Sequence, residues 1–282
     1  MKIACISDIH TDINSKYDIV NLLSVYLRKN NADILLIAGD IYEDFSACIK
    51  TVKRIEELSG IKVFYVPGNH DLWNKNTVLK SCDDIYEQYV NDYHCLSGTL
   101  DGRKKGIILH GTYSDYMLIG DTMWYDYSFA DPAYTKAMLD SMEHDGRTWQ
   151  DKFYNSWTLD NTGRCSKMLG MLETRLKSIH NYRVIVMTHM IPVPEFDVPK
   201  SYKGWGFFNG YLGSRKIQGI LEKERNVDYC ICGHVHFRKK LDKNNIHYIL
   251  PCLNYHTEWV PEPDGHIDAE HQIRESTVFF NI

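Results

Sequence analysis

The run Lys62-Val63-Phe64-Tyr65-Val66-Pro67-Gly68-Asn69-His70-Asp71 sets a short apolar segment directly against a glycine turn and three polar side chains. Lys62–Val66 is rich in β-branched and aromatic residues and too short for a helix, so it reads as a strand covered on both faces. Gly68 allows the chain to turn sharply. Asn69, His70 and Asp71 then follow without a break, each able to bind a cation or move a proton.

Working outward, the same grammar recurs four times. Ile3–Ser7 runs into Asp8 and His10, and Ile34–Ala38 into Gly39 and Asp40. Val184–Thr188 runs into His189, and Val227–Cys232 into Gly233, His234 and His236. Between the first three runs, Val20–Asn30 and Ala47–Leu58 carry apolar residues at three-to-four spacing and read as helices packed on a sheet. That gives β-α-β-α-β over the first 66 residues and predicts an α/β fold.

Residues just beyond the carboxyl ends of parallel strands converge on one crevice, so the five polar clusters are expected to meet. Asp8 and His10 are two apart, as are His234 and His236; in extended chain each pair shares a face and can grip one ion. Oxygen and imidazole donors in this number suit two borderline or hard cations such as zinc, manganese or iron, whereas thiolates would have pointed to a structural zinc. Glycines at 39, 68 and 233 sit where the backbone must turn to present these groups. A single Asp or His after a strand is ordinarily a cap or turn former; five ordered clusters together carry the metal reading.

The 282 residues amount to one large domain or two small ones, and 44% hydrophobic with 24% charged residues fits an ordinary globular core. The formal charge of −5 offers no general field for a polyanion. No apolar run approaches the ~20 residues of a membrane span, and the amino terminus reaches charged Asp8 too soon for a signal peptide. Eight scattered cysteines without a CxxC pair are expected to be reduced and buried, which places the chain in the cytoplasm. Cys230 and Cys232 flank Ile231 within a strand and read as small hydrophobes.

Residues 111–182 break the strand rhythm with Trp124-Tyr125-Asp126-Tyr127-Ser128-Phe129 and are expected to be an insertion on a single domain spanning 1–282. These aromatics, with Trp205, Phe207 and Phe208, suit core packing, with a wall beside the metals as the alternative. Lys239–Asn245 reads as a turn before a strand Ile246–Leu250, and Ser276–Asn281 as a closing strand. His110, at the end of an apolar run, is expected in the core or behind the site. Arg103-Lys104-Lys105 and Arg238-Lys239-Lys240 fit solvated turns.

Asp8-Ile9-His10, Gly39-Asp40, Gly68-Asn69-His70-Asp71, His189 and Gly233-His234-Val235-His236 together resemble, in order and complete, the pattern of the calcineurin-like metallophosphoesterases. The resemblance covers residues 8 to 236. It implies a four-layer α/β/β/α sandwich with two central mixed sheets, and two metal ions. Asp8, His10, Asp40 and His236 would hold one ion, and Asp40, Asn69, His189 and His234 the other, with Asp40 shared. It implies hydrolysis of a phosphate ester, in which the ion pair acidifies a shared water, supplies hydroxide in line with phosphorus and neutralises the phosphoryl oxygens. His70 would serve the leaving oxygen as a general acid, with Asp71 orienting its imidazole.

Departures narrow the substrate. Asp40 is followed by Ile41-Tyr42-Glu43-Asp44, without the arginine of the protein serine/threonine phosphatases or the correctly spaced tyrosine of the purple acid phosphatases. The lipid-A-pathway pyrophosphohydrolases carry Arg where His70 stands. The spacing is similar to bacterial cyclic-nucleotide phosphodiesterases, and Trp124–Phe129 resembles a group of uncharacterised bacterial phosphoesterases. The expected activity is therefore hydrolysis of a small-molecule phosphodiester or phosphomonoester. A nuclease, disfavoured by the net charge, and an inactive metal-binding scaffold are the alternatives.

Overall fold

The computed structural model describes residues 1–73, 75 and 81–282. Strand β1 (Lys2–Ile6), helix α1 (Ile19–Lys29), β2 (Ile34–Ala38), α2 (Phe45–Ser59) and β3 (Lys62–Val66) follow the expected alternation, and α3 (Cys82–Asn91) comes next. Asp18 and Asp44 cap α1 and α2 by accepting the backbone N–H groups of Asn21 and Ala47. Ile19, Leu23 and Leu27 of α1 and Cys48, Val52 and Ile55 of α2 form the buried stripes that their spacing requires.

Then come β4 (Ile107–His110), β5 (Asp115–Asp121), α4 (Lys136–Asp140), a hairpin of β6 (Glu143–His144) and β7 (Arg147–Thr148), α5 (Asp151–Tyr154), α6 (Asn161–Lys177) and β8 (Arg183–Thr188). The chain closes with α7 (Trp205–Phe208), α8 (Arg215–Leu221), β9 (Val227–Ile231), β10 (Arg238–Lys243), β11 (Ile246–Pro251), α9 (Ala269–Ser276) and β12 (Val278–Asn281).

The strands make two mixed sheets, ordered β12-β1-β2-β3 and β10-β11-β9-β8-β5-β4. In the first, β1, β2 and β3 are parallel and β12 antiparallel. In the second, β11, β9, β8 and β5 are parallel, with antiparallel β10 and β4 at the edges. Alternation along each strand explains the unbroken apolar runs. Ile3, Cys5, Leu36, Phe64 and Val66 face Leu118, Ile185, Met187 and Ile231 of the other sheet. Ala4, Ile6, Leu35, Ile37 and Tyr65 belong to the core shared with Leu23, Leu27, Val52 and Ile55 of the helices. Each buried Val, Leu, Ile, Phe or Met side chain among them contributes about 1.5–3 kcal/mol by leaving water, and the four-layer α/β/β/α sandwich is the result.

The two sheets are stitched at one end. Ser7 bridges Cys252 in parallel fashion, donating its backbone N–H to the Pro251 carbonyl at 3.0 Å and accepting that of Leu253 at 2.9 Å. The carboxyl ends of β1, β2, β3, β8, β9 and β11 therefore open onto the same edge.

Several elements differ from their sequence reading. Lys239–Asn245 is mostly strand: β10 is a charged sheet edge, and the turn is only Asn244-Asn245, both at positive φ (51° and 62°). Ser276 ends α9 rather than opening the closing strand. The stretch 111–182 is of mixed character, because β5 and α6 belong to the sandwich layers. Trp124, Tyr125, Tyr127, Phe129, Phe207 and Phe208 are buried packing, with Trp124 stacked on Tyr125 at 4.8 Å. His110 lies neither in the core nor behind the site; its ring is 76% exposed and paired with Asp115 at 3.0 Å across the antiparallel β4–β5 edge.

Candidate active site

The loops that leave the strand ends carry every ligand candidate, together with His70 and Asp71. Asp8, His10, Asp40, His234 and His236 are not in extended chain, as their spacing suggested. Their φ values are +53°, +37°, +55°, +78° and +56°, the left-handed region. Such residues cost of order 1–3 kcal/mol each and persist where surrounding structure fixes them. Here backbone bonds do so: Asp8 N–H donates to the Gly39 carbonyl and His10 N–H to that of Asp40, and Gly233 N–H donates to that of His189. Of the glycines, Gly39 takes a positive φ (+88°). Gly68 is needed for room, since a Cβ there would lie 2.0 Å from Asp40 Oδ1.

Three donor sets, each with atoms within 4.8 Å of one another, adjoin: Asp8, His10 and His236; His10, Asp40 and His70; Asp40, His189 and His234. Asp40 joins the last two. The ring nitrogens reveal what the centre lacks. His189 Nδ1 donates to the Ala38 carbonyl at 2.8 Å, His234 Nε2 to that of Tyr211 at 3.2 Å, and Asn69 Nδ2 to Asp151 at 2.9 Å. With neutral rings that leaves His189 Nε2, His234 Nδ1 and Asn69 Oδ1 all as acceptors, the last two 3.1 and 3.0 Å from His189 Nε2, with Asp40 Oδ2 3.4 Å from the same nitrogen. One proton on His189 would serve only one of the other three. Atoms about 2.0–2.2 Å from a common ion stand roughly 3.0–3.5 Å apart, so the set fits a cation.

The other side of Asp40 repeats the pattern. His236 Nδ1 donates to Glu258 at 2.7 Å, which turns its Nε2 toward His10 Nε2 at 3.2 Å and Asp8 Oδ1 at 3.6 Å. Burial drives His10 and His234 well below the usual imidazole range, keeping them neutral. Burial also opposes charge on His189, yet the Asp40 and Asp8 carboxylates outweigh it and raise its pKa to about 9. Asp40, despite burial, is held well below the carboxylate range by His189 and His70. The pocket thus favours positive charge at its centre.

His70 stands beside this centre, its backbone N–H donating to Asp40 Oδ1 at 3.0 Å. Its partner is Glu43, 3.2 Å from Nδ1, and Glu43 is itself held by Lys75 at 2.7 Å. Burial lowers the imidazole pKa, but Asp40 and Glu43 more than offset it and the net shift is upward. Asp71 does not orient this ring. Its carboxylate turns back to accept four backbone N–H groups, from Asp40, Ile41, Tyr42 and Gly68, at 2.6–2.9 Å. Burial and the Asp40 charge push its pKa up to about 7, while those donors favour the ionised form. Asp71 therefore clamps the Asp40 loop to the His70 loop.

The calcineurin-like phosphoesterase family model matches residues 1–238. The chain belongs to the calcineurin-like phosphoesterase family. Membership makes it a metal-dependent phosphoester hydrolase and implies two metal ions, consistent with the two donor sets that share Asp40. An uncharacterised protein, L509, of Acanthamoeba polyphaga mimivirus is 24% identical over 270 residues, 90% of this chain and 91% of that one. The crystal structure of phosphopantetheinyl hydrolase from Mycobacterium tuberculosis superposes with a TM-score of 0.72 at 16% identity, covering 95% of this chain and 98% of that one. The likeness extends through the whole sandwich.

Around the centre of this phosphoesterase lies a cavity of about 690 Å³, within the range of small-molecule sites. Asp40, Asn69, His70, His234 and His236 form its floor, and Trp73, Trp149, Trp205, Tyr202 and Tyr255 its walls. Trp73 stacks on the His70 ring at 3.6 Å, and the Tyr255 hydroxyl lies 3.3 Å from His70 Nε2. Of the aromatics weighed from sequence as a wall, Trp205 alone is among these lining residues. Glu43, Glu258, Tyr255 and Asp151 carry no local sequence signal, because each acts on a residue distant in the chain. Among the described residues, no helix is long and apolar enough to cross a membrane.

Proposed function

We propose that this phosphoesterase hydrolyses a small-molecule phosphodiester, with Asp8, His10, Asp40 and His236 holding one ion and Asp40, Asn69, His189 and His234 the other. The observation that carries the reading is the convergence of His189 Nε2, His234 Nδ1 and Asn69 Oδ1 beside the Asp40 carboxylate, four acceptor positions among which His189 can supply at most one proton. Two ions so held would supply Lewis acidity toward a phosphoryl oxygen and a water acidified toward neutrality. The mixed N/O donors suit manganese, zinc or iron. Asp40 fixes the two halves in one frame. Glu43 pins Nδ1 of His70, leaving Nε2 toward the cavity, where it can donate to a departing oxygen. Asp71 acts at a distance, by holding the two loops.

The walls favour a diester over a monoester. Arg147 is the one cation among the described residues lining the cavity, stacked on Phe208 at 4.6 Å and Trp205 at 5.8 Å. Aromatic walls suit organic groups on phosphate, and a single arginine gives no basic track for a polynucleotide. The eight free, buried cysteines, with thiol pKa values raised by burial, support a reducing, cytoplasmic setting for a single-domain enzyme.

With manganese, zinc or iron restored, bis-p-nitrophenyl phosphate is expected to be turned over with higher kcat/KM than p-nitrophenyl phosphate. Cyclic nucleotides, phosphopantetheinyl diesters and single-stranded DNA then rank the natural classes. A monoester preference would replace the phosphodiesterase reading by a phosphatase, and efficient cleavage of the DNA by a nuclease.

A further inference from the structure

Asp151 opens the short helix α5, is 1% exposed, and gathers four donors from separate parts of the chain. Oδ1 accepts the Asn69 side-chain N–H at 2.9 Å and the Trp73 indole N–H at 2.8 Å. Oδ2 accepts the Trp149 indole N–H at 2.9 Å and the Tyr125 hydroxyl at 3.2 Å. None of the four is a cation. A buried carboxylate is tolerated only when such donors replace the water it has lost, and an apolar side chain would fill the same space without that requirement. The charge serves its neighbours.

We propose that Asp151 is the positioning residue of the Asn69 metal ligand, and that it locks that ligand to the two indoles walling the substrate cavity. The inference rests on the two-ion reading above. The oxygen and nitrogen ends of an amide have nearly the same shape, so packing alone does not choose between them. A carboxylate bound to Nδ2 does choose, through a charge-assisted bond, and leaves Oδ1 aimed at His189 Nε2 at 3.0 Å. Partners behind a ligand also strengthen it as a donor. The same carboxylate holds Trp149, whose ring lies edge-on to His234 with centroids 5.7 Å apart, and Trp73, which stacks on His70. One buried charge thus sets a ligand, the wall beside a second ligand and the wall beside the proton donor. Asn69 and Asp151 are 82 positions apart, so this bond ties the floor of the site to the segment between β5 and α6.

Manganese alone is the probe. Metal-free wild type, Asp151→Asn, Trp149→Phe and the double variant are titrated by calorimetry and by the resonance of free Mn²⁺, with thermal melting to verify folding. Wild type is expected to take up two ions; Trp149→Phe keeps Asp151 and its bond to Asn69, should also take up two, and is the reference for the double variant. In Asp151→Asn the first ion should bind as in wild type and the second about 10–100-fold more weakly. Saturating Mn²⁺ should then recover much of kcat on bis-p-nitrophenyl phosphate while KM stays raised, because the walls remain displaced; a merely structural role would not split the two constants.

If Asp151→Asn fails to fold because its NH₂ meets the Trp149 indole N–H, the double variant removes that donor and lets the amide give its hydrogen to Tyr125. It should fold and show the same weakened ion. Both affinities intact in whichever variant folds would overturn the role of Asp151 and leave the two-ion reading standing. A wild-type chain that binds one ion would overturn that reading and this inference together.

Discussion

Asp40→Ala is expected to strip both ions and reduce turnover to background, a larger loss than the about 10–100-fold typical of a residue behind the ligands. The reason is its placement between the halves of the site. Oδ2 lies 3.4 Å from His189 Nε2 and 3.7 Å from His10 Nε2, while Oδ1 takes the His70 backbone N–H. With the carboxylate gone, Asn69, His189 and His234 are left without an anionic donor, and Asp8, on the other side, is the one carboxylate remaining in the proposed ligand set. Asp40→Asn keeps an acceptor for His70 N–H and loses only the charge, so it separates shape from electrostatics. At most one ion should remain, read as metal content per folded chain. Two ions and wild-type turnover in Asp40→Ala would refute the shared carboxylate.

His70→Ala should behave in the opposite way. It is expected to retain two ions and a normal melting temperature while kcat falls about 10²–10⁴-fold. The drop should be full for a diester with an alkoxide leaving group, which needs a proton, and smaller for p-nitrophenolate, which does not. Glu43→Gln should fall between wild type and His70→Ala, since it removes the charge 3.2 Å from Nδ1 but keeps a polar partner there. An undiminished rate on the alkyl diester in His70→Ala would take the imidazole out of the chemistry.

The strands that support the site were legible because β1, β2, β3, β8 and β9 are buried on both faces and so appear as unbroken apolar runs. Edge strand β10 was not: one side of it meets water, its residues are mostly charged, and its hairpin turns on two asparagines instead of a glycine. Helix α9 was hidden by its polarity. The ligand candidates stood out because their residue types cluster directly after strand ends. Their two-residue spacing works for a different reason from shared strand faces: Asp8 and His10 converge through left-handed backbone.

Sequence adjacency also misled at Asp71, whose carboxylate binds loop N–H groups while Glu43, 27 positions away, holds the imidazole. Glu258, Tyr255 and Asp151 were invisible for the same reason. Their meaning lies in contacts made only once the two sheets are stitched at Ser7 and Cys252.

Anomalous diffraction from crystals of the manganese-loaded protein tests the two-ion centre most directly. Two peaks are expected about 3.5–4 Å apart, one beside Asp8, His10 and His236, the other beside Asn69, His189 and His234, with the Asp40 carboxylate between them. A single peak, or peaks away from Asp40, would contradict it.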